Sequence, residues 1–510
     1  MILDIDQADP LPLADRYDVC IAGGGVAGIT LALHLAEKKR RVLLLEAGGY
    51  EYSEASQDVC KGANAGYSYF NLDTARLRYL GGTSGHWNGQ CRPLDAHDFL
   101  PREHIPDSGW PIRKTDLDPY LDAARDILEL PPFPEGNVLP ESDGLLRELD
   151  FQWSPPVRFG EKYRKALSDS TLIDVFLNAN LVEVGVDPGN GRISHFAFRG
   201  YAEGRPARKA TADRYVLALG GIENARLMLN QGPRGLANET GMVGRYFMEH
   251  PEFEVGYYVA GPARGEKGAT RQFIAPTAEM IDKLKMTNAV YRLGAVVNKN
   301  DGSLVGRGKM ALKRGMCASD VVADLIRSVY PLSCRVQVEN AGALEVFGEQ
   351  VPNPRSRVFL GEEKDRFGLR RPVLDWQLTT FEKRSIRVGA LEVGKHFARQ
   401  DFGRVKLHDW VLQEDAEFPT VDSGLHNVGG YHHMGTTRMA ASAMDGVVDG
   451  NCRTFEHANL YIAGSSVFRT GGQANPTFTI VQLALRLGDH LAAASAGVVP
   501  RRSLESGGRT

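Results

Sequence analysis

Residues 17–49 read YDVCIAGGGVAGITLALHLAEKKRRVLLLEAGG. Residues 17–22 form an apolar run of strand length, the pattern of a buried strand. Gly23, Gly25 and Gly28 follow in G-x-G-x-x-G spacing. Residues 27–38 keep small and apolar side chains on one face, which predicts a helix. A second strand, RVLLLE, ends at Glu46, 18 residues past Gly28. Each glycine has a mechanical reason. Gly23 permits the tight turn, Gly25 lets the backbone approach a pyrophosphate, and Gly28 lets helix and strand pack closely. The free N–H groups at the helix start then face the phosphates. Glu46, at a strand end, is placed to accept hydrogen bonds from a ribose diol. Strand, helix, second strand and acid together predict a dinucleotide site, without choosing between FAD and NAD.

Two further loops extend this plan. In RYLGGTSGHWNGQCRPL (78–94), Gly81, Gly82 and Gly85 surround Thr83 and Ser84. Glycines free a backbone to lie against a ligand, and hydroxyls can cap its phosphates. His86 and Trp87 follow. YVLALGGIENARLML (215–229) repeats the strand–glycine–helix order, with Val216–Leu219 as strand, Gly220 and Gly221 as turn, and a helix from Glu223.

Composition narrows the function classes. The 510 residues are 43% hydrophobic and 24% charged, as in a soluble globular protein with a large core. A net charge of −3, with no basic run carrying interleaved aromatics, points away from nucleic acid and anionic membrane surfaces. The start, MILDIDQADPLPLAD, has acids where a signal peptide carries positive charge. No run of 18 apolar residues occurs, so no direct membrane insertion is expected. The six cysteines form no CxxC and suit a reducing compartment, so the expected location is cytoplasmic.

The C-terminal third holds the candidate chemistry. GGYHHMGTTRM (429–439) sets His432 beside His433 between glycines. If the segment is extended, adjacent side chains point to opposite faces, and only one imidazole can face a ligand. The residues alone do not choose which. Further on, VVDGNCRTFEHANLYIAGSSVF (447–468) gives a turn, a short strand at Leu460–Ala463 and Gly464. In GGQANPTFTIVQLALRLGDHL (471–491), Asn475 and Pro476 open a long helix. No Cys, Asp or further His lies at ligand spacing from the histidine pair, so no metal is expected. His250, before Pro251, reads as a turn residue, and Trp110 in GWPI reads as core.

At this point the chain resembles the glucose–methanol–choline (GMC) flavin oxidoreductases, nearest to the sugar-oxidising branch of pyranose 2-oxidase-like and fructose–gluconate dehydrogenase-like members. The resemblance rests on the N-terminal fingerprint, GGTSGHWN, GWPI with LDPYLDAA (109–126), VLALGGIENARLML, GMVGRYFMEHP (241–251), EQVPNPRSRVFL (349–360) and the whole C-terminal block. It implies an α/β and α+β fold, with a Rossmann-type FAD domain and a substrate domain on an antiparallel sheet. The FAD domain is expected from residues 15–100, 205–250 and 425–495, and the substrate domain from 101–204 and 251–424. Residues 1–14 and 496–510 are expected as terminal arms. The segment 357–378 reads as a hairpin turning around Asp365–Gly368, assigned to the sheet over the flavin.

The resemblance also implies roles. His432 occupies the position of the active-site base, and Asn475 that of its partner. Gly82, Thr83, His86, Asn88, Val182, Gly464, Pro476 and Thr477 join Gly23, Gly25, Gly28 and Glu46 in holding FAD. His86 falls where some members bond the flavin covalently and others carry the same HW pair without the bond. The reaction implied is oxidation of a sugar or glycoside hydroxyl, with oxygen, a quinone or a cytochrome as acceptor. A catalytic subunit of a membrane-linked complex and a lyase retaining FAD are the competing readings. A homo-oligomer is compatible with the sequence.

Overall fold

The computed structural model describes residues 1–8, 10–134, 136–139, 142–260, 273–294, 341–401, 403–421 and 428–493. The expected arm at 496–510 lies outside the described residues.

A six-stranded parallel sheet forms the nucleotide-binding half. Its order is Ile2–Asp4, Ile173–Leu177, Val42–Leu45, Tyr17–Ala22, Ala212–Leu217, Leu460–Ile462, and every neighbouring pair is parallel. Val42–Leu45, Ile173–Leu177 and Leu460–Ile462 are buried at every position. That is the pattern of parallel strands covered on both faces. The helix Val26–Glu37 follows Gly25 directly. It packs on the C-terminal helix Pro476–Ala493, where a Cβ at Gly488 would stand 2.5 Å from His34 Cδ2. His34 and Asp489 hydrogen-bond across that contact at 2.9 Å. The glycine therefore sets how near the two helices come, and with them the two ends of the nucleotide site.

Two strands of this sheet fall outside the segments expected for it. Ile173–Leu177 was assigned to the substrate domain, and Ile2–Asp4 to an arm. The first is only five residues long, IDVFL, with Asp174 inside it, too short and too mixed for periodicity to place it. The second joins it in parallel register, Leu3 opposite Phe176. The Asp6 carboxylate further fixes the N-terminus by accepting the N–H groups of Tyr201 and Ala202 at 2.8 and 3.1 Å.

The second half is a six-stranded antiparallel sheet in the order Gly403–Leu407, Glu252–Ala260, Ala341–Gly348, Ala289–Leu293, Phe273–Pro276, Leu146–Leu149. The helix Thr380–Arg399 covers it, started by a capping box between Thr379 and Glu382. The hairpin forms as read, Arg357–Lys364 against Arg370–Asp375. It does not join this sheet. Its third strand is Ala63–Asn64, and Arg226 ties its turn to the helix Glu223–Leu229 through Asp365 at 2.5 Å. A buried ion pair decides that placement, and strand alternation carries no sign of it. Among the described residues, no helix is long and apolar enough to cross a membrane.

Candidate active site

One cavity of about 560 Å³ runs between the two halves. Its wall shows why the glycines stand where they do. Gly23 has φ +109°, and a Cβ there would meet the Ala218 carbonyl at 2.4 Å, so strand, turn and neighbouring strand close only without a side chain. Gly28 does not line the cavity. A Cβ there would stand 1.9 Å from the Gly23 carbonyl, so its role is helix-to-strand packing. Gly25, Gly220 and Gly464 do line it, and added Cβ atoms at all three would meet nothing within 4 Å. Three bare backbones thus face the same open volume, a cradle that side chains would fill.

Glu46 stands at the end of its strand, 5% exposed, and borders the cavity. Its two carboxylate oxygens accept the N–H groups of Gly24 and Gly48, each at 2.8 Å. Burial pushes its carboxyl up, and those two N–H groups pull it back. The remaining lone pairs are free to accept from a diol. Arg78, also on the wall, donates to Asn180 at 2.7 Å and to the Tyr201 hydroxyl at 3.1 Å.

The structure brings most of the predicted residues to this cavity. Gly23, Gly25, Glu46, Gly82, Thr83, His86 and Asn88 line it from the N-terminal side. Gly464, Asn475, Pro476, Thr477 and His432 line it from the C-terminal side. Val182 does not. Its neighbours Ala179, Asn180 and Leu181 do, because the cavity reaches only the first residues of the strand Asn180–Val186.

The histidine pair sits on a bulge. Antiparallel bridges join Met248 to Met434 and Pro251 to Gly429. Residues 249–250 therefore face 430–433, two against four, and the excess bows outward, as bulges beside active sites do. Tyr431 takes the left-handed conformation at φ +60°. The Glu249 carboxylate serves the freed backbone. It accepts the His432 N–H at 2.8 and 3.0 Å and the His250 N–H at 2.8 Å. Tyr69 donates its hydroxyl to the same carboxylate at 2.5 Å.

The two imidazoles diverge. His433 turns to Tyr69, with Nε2 2.9 Å from the hydroxyl. His432 turns to His250, with the two Nδ1 atoms 2.8 Å apart. Burial holds both rings of the pair below the usual imidazole range, His250 at about 4 and His432 well under its ordinary value. Burial has the opposite effect on the acids. It raises Glu249 to about 7 and Glu252, on the cavity wall, to about 8.

The loop carrying Asn475 is anchored from the substrate half. Glu349 forms a two-pronged buried pair with Arg102 at 2.6 and 2.7 Å, and it accepts the Gly472 N–H at 3.4 Å. Asn288 donates to Gln473 at 2.8 Å. Trp110, core as expected, donates to Thr470 at 2.7 Å.

Glu249, His250 and Tyr69 are functional candidates that sequence reasoning missed. EHP is visible in the sequence, but the partner of His250 lies 182 residues away, and no local pattern reports it.

Comparisons with known proteins agree with this geometry. A family model described as FAD dependent oxidoreductase matches residues 18–113, and one described as GMC oxidoreductase matches residues 352–484. The chain is 24% identical over 319 residues to the fructose dehydrogenase large subunit of Gluconobacter japonicus, a match covering 61% of this chain and 52% of the subunit. It therefore spans about half the length of that relative. It is 23% identical to 2-methyl-1,2-propanediol dehydrogenase of Mycolicibacterium austroafricanum, covering 97% of this chain and 98% of the relative. Among solved structures, a fungal aryl-alcohol oxidase superposes with TM-score 0.58 at 15% identity, covering 95% of this chain and all of that one. Pyridoxine 4-oxidase from Mesorbium loti superposes with TM-score 0.56 at 16% identity, covering 93% and 99%. With the glycine cradle and the acid at the strand end in place, the two matching models mark an FAD-dependent oxidoreductase similar to the GMC oxidoreductases over residues 18–113 and 352–484.

Proposed function

We propose that the chain oxidises a CH–OH group of a sugar, glycoside or comparably polyhydroxylated small molecule to a carbonyl, with His432 as the base. One observation carries this reading: His432 and Asn475 line the same continuous cavity as the glycine cradle and Glu46. FAD held by that cradle supplies the acceptor for the carbon-bound hydride. The hydroxyl proton falls to His432. Burial keeps its imidazole uncharged at neutral pH, so it is free to take a proton. Asn475 cannot take a proton, but its amide can hydrogen-bond the developing alkoxide and orient the carbon. His–Asn thus separates proton transfer from orientation.

The two curated relatives are both named dehydrogenases, which supports a quinone or cytochrome over oxygen as electron acceptor. The polar groups Glu252 and Arg292 on the cavity wall support a substrate with several hydroxyls. The buried free thiols of Cys20, Cys60, Cys91 and Cys452 support a cytoplasmic location. The flavin domain on this reading comprises residues 15–100, 205–250 and 425–495, together with the strands Ile2–Asp4 and Ile173–Leu177.

His432→Ala should leave a yellow, folded protein whose anaerobic bleaching by a sugar and polyol panel slows ~10²–10⁴-fold. Bleaching at wild-type speed would remove His432 as the base. A wild-type flavin that stays oxidised while substrate is consumed would mark a lyase.

A further inference from the structure

The contact between the two histidines fixes more than orientation. Each neutral imidazole carries one N–H and one bare nitrogen. His250 Nε2 lies 3.3 Å from the Gly471 carbonyl, within a buried pocket. A carbonyl only accepts, so Nε2 of His250 bears the hydrogen. His250 Nδ1 is then a lone pair. It stands 2.8 Å from His432 Nδ1, and two lone pairs cannot share such a contact, so His432 Nδ1 bears the hydrogen. The one nitrogen left bare is His432 Nε2. It makes no hydrogen bond among the described residues, and its ring lines the cavity.

We infer that His250 is a positioning residue that sets the tautomer of His432, so that Nε2 reaches the substrate as a lone pair. The Gly471 carbonyl is the fixed end of this relay. This inference rests on His432 being the base. It has chemical content because an imidazole with no partner prefers its hydrogen on Nε2, the wrong nitrogen for this reaction. His250 therefore reverses an intrinsic preference, the service an outer-shell acceptor performs for working imidazoles elsewhere. The relay is also placed to survive turnover. When Nε2 takes the hydroxyl proton, Nδ1–H stays bonded to His250, and no second proton has to move. The ionisable groups facing the pair are Glu249 opposite the bulge, His433 on it, Glu252 beside Gly430, and Glu349 behind His250.

The holoenzyme carrying ¹⁵N-histidine tests this directly. Wild type should show His432, assigned by its loss in His432→Gln, with a protonated Nδ1 and a bare Nε2. A protonated Nε2 would overturn the inference. Kinetics supply a second arm. His250→Leu removes the acceptor, and flavin reduction should slow at least ~10-fold, within the ~10²–10⁴-fold a positioned base contributes, while KM stays near wild type. His250→Asn puts an amide oxygen near the position of Nδ1 and should restore most of the rate. The pH profile of reduction should shift in His250→Leu and return in His250→Asn. Equal rates in the two variants would overturn the inference and leave the base standing. Wild-type reduction by His432→Ala would overturn both. If His250→Leu does not fold, the ¹⁵N spectrum of the wild type still decides.

Discussion

Glu249 accepts the backbone N–H of His432 with both carboxylate oxygens, at 2.8 and 3.0 Å. One buried side chain therefore takes the place of the ladder bond that the bulge removes. The same carboxylate holds the His250 N–H and the Tyr69 hydroxyl. It ties together His432, its partner His250, and the tyrosine that occupies the neighbouring histidine.

Glu249→Ala leaves two buried N–H groups and a buried hydroxyl without their acceptor. Each orphaned group costs about 1–3 kcal/mol, and the groups share one site, so the total should fall short of their sum. We expect a loss of about 2–4 kcal/mol and slower flavin reduction, because the bulge no longer fixes His432. Glu249→Gln keeps one acceptor and should lose less of both. Denaturant unfolding and anaerobic stopped flow read the two effects separately. An alanine variant as stable and as fast as wild type would remove Glu249 as the anchor.

The glycines of the fingerprint should separate binding from folding. Gly25 has φ −86° and open space where its Cβ would go. Gly25→Ala should fold normally and lose FAD affinity, seen as released flavin on gel filtration. Gly28→Ala would press a methyl 1.9 Å from the Gly23 carbonyl. It should lower the melting temperature of the protein and its soluble yield. If both variants lose flavin with unchanged folding, Gly28 touches the cofactor after all.

How much of this was legible follows from how local each signal is. Strand, glycine turn, helix and Glu46 lie within one 33-residue stretch, so their spacing carries the whole argument. Asn475–Pro476 likewise announces its helix locally. The edge of the parallel sheet was not legible. Ile173–Leu177 and Ile2–Asp4 are short segments, each with an aspartate among its apolar residues, that pair with each other from far apart in the chain. The divergence of His432 and His433 was expected from backbone alternation. Its true cause is a bulge closed by Glu249, with Tyr69 and His250 as the two docking points. Val182 failed by one strand position, since position along a strand depends on where the cavity ends.

The buried acids and imidazoles of the site make opposite demands on pH. Glu249 and Glu252 titrate at about 7 and about 8 in the folded chain, against 4.5 ordinarily. A raised pKa contributes stability that is complete below 4.5 and is lost as pH rises through 7 and 8. His250 and His433 titrate at about 4 and about 3, against 6.5, and His432 is lowered with them. A lowered imidazole contributes stability that is complete above 6.5 and is lost as pH falls. Between 4.5 and 6.5 three imidazoles outweigh two carboxyls, and above 6.5 only the carboxyls act. The contribution of this cluster should therefore peak near pH 6.5. Melting temperatures of wild type and Glu252→Gln from pH 5 to 9 check it. The variant should decline less between pH 6.5 and 8.5, and an equal decline would contradict the assignment of Glu252.

Glu252 has a consequence for substrate choice as well. Its side chain flanks Gly430, as the His432 ring does, since a Cβ there would meet Glu252 Oε1 at 2.6 Å and His432 Cε1 at 2.7 Å. On the same sheet, and also lining the cavity, stands Arg292, paired with Glu345 at 2.5 Å and set over the Phe347 ring at 4.9 Å. With its pKa at about 8, Glu252 is mostly a protonated acid at pH 7. It can then donate one hydrogen bond and accept another, which suits a second hydroxyl on the molecule being oxidised. Glu252→Leu should raise KM for a sugar or polyol by about 3- to 10-fold, the worth of one hydrogen bond of about 1 kcal/mol, and should change kcat less. Glu252→Gln keeps a donor and an acceptor and should stay near wild type. A simple alcohol with one hydroxyl should not distinguish the three proteins. If kcat falls in Glu252→Leu while KM holds, the acid acts on the proton transfer to His432, and polyol recognition must be sought elsewhere on the wall.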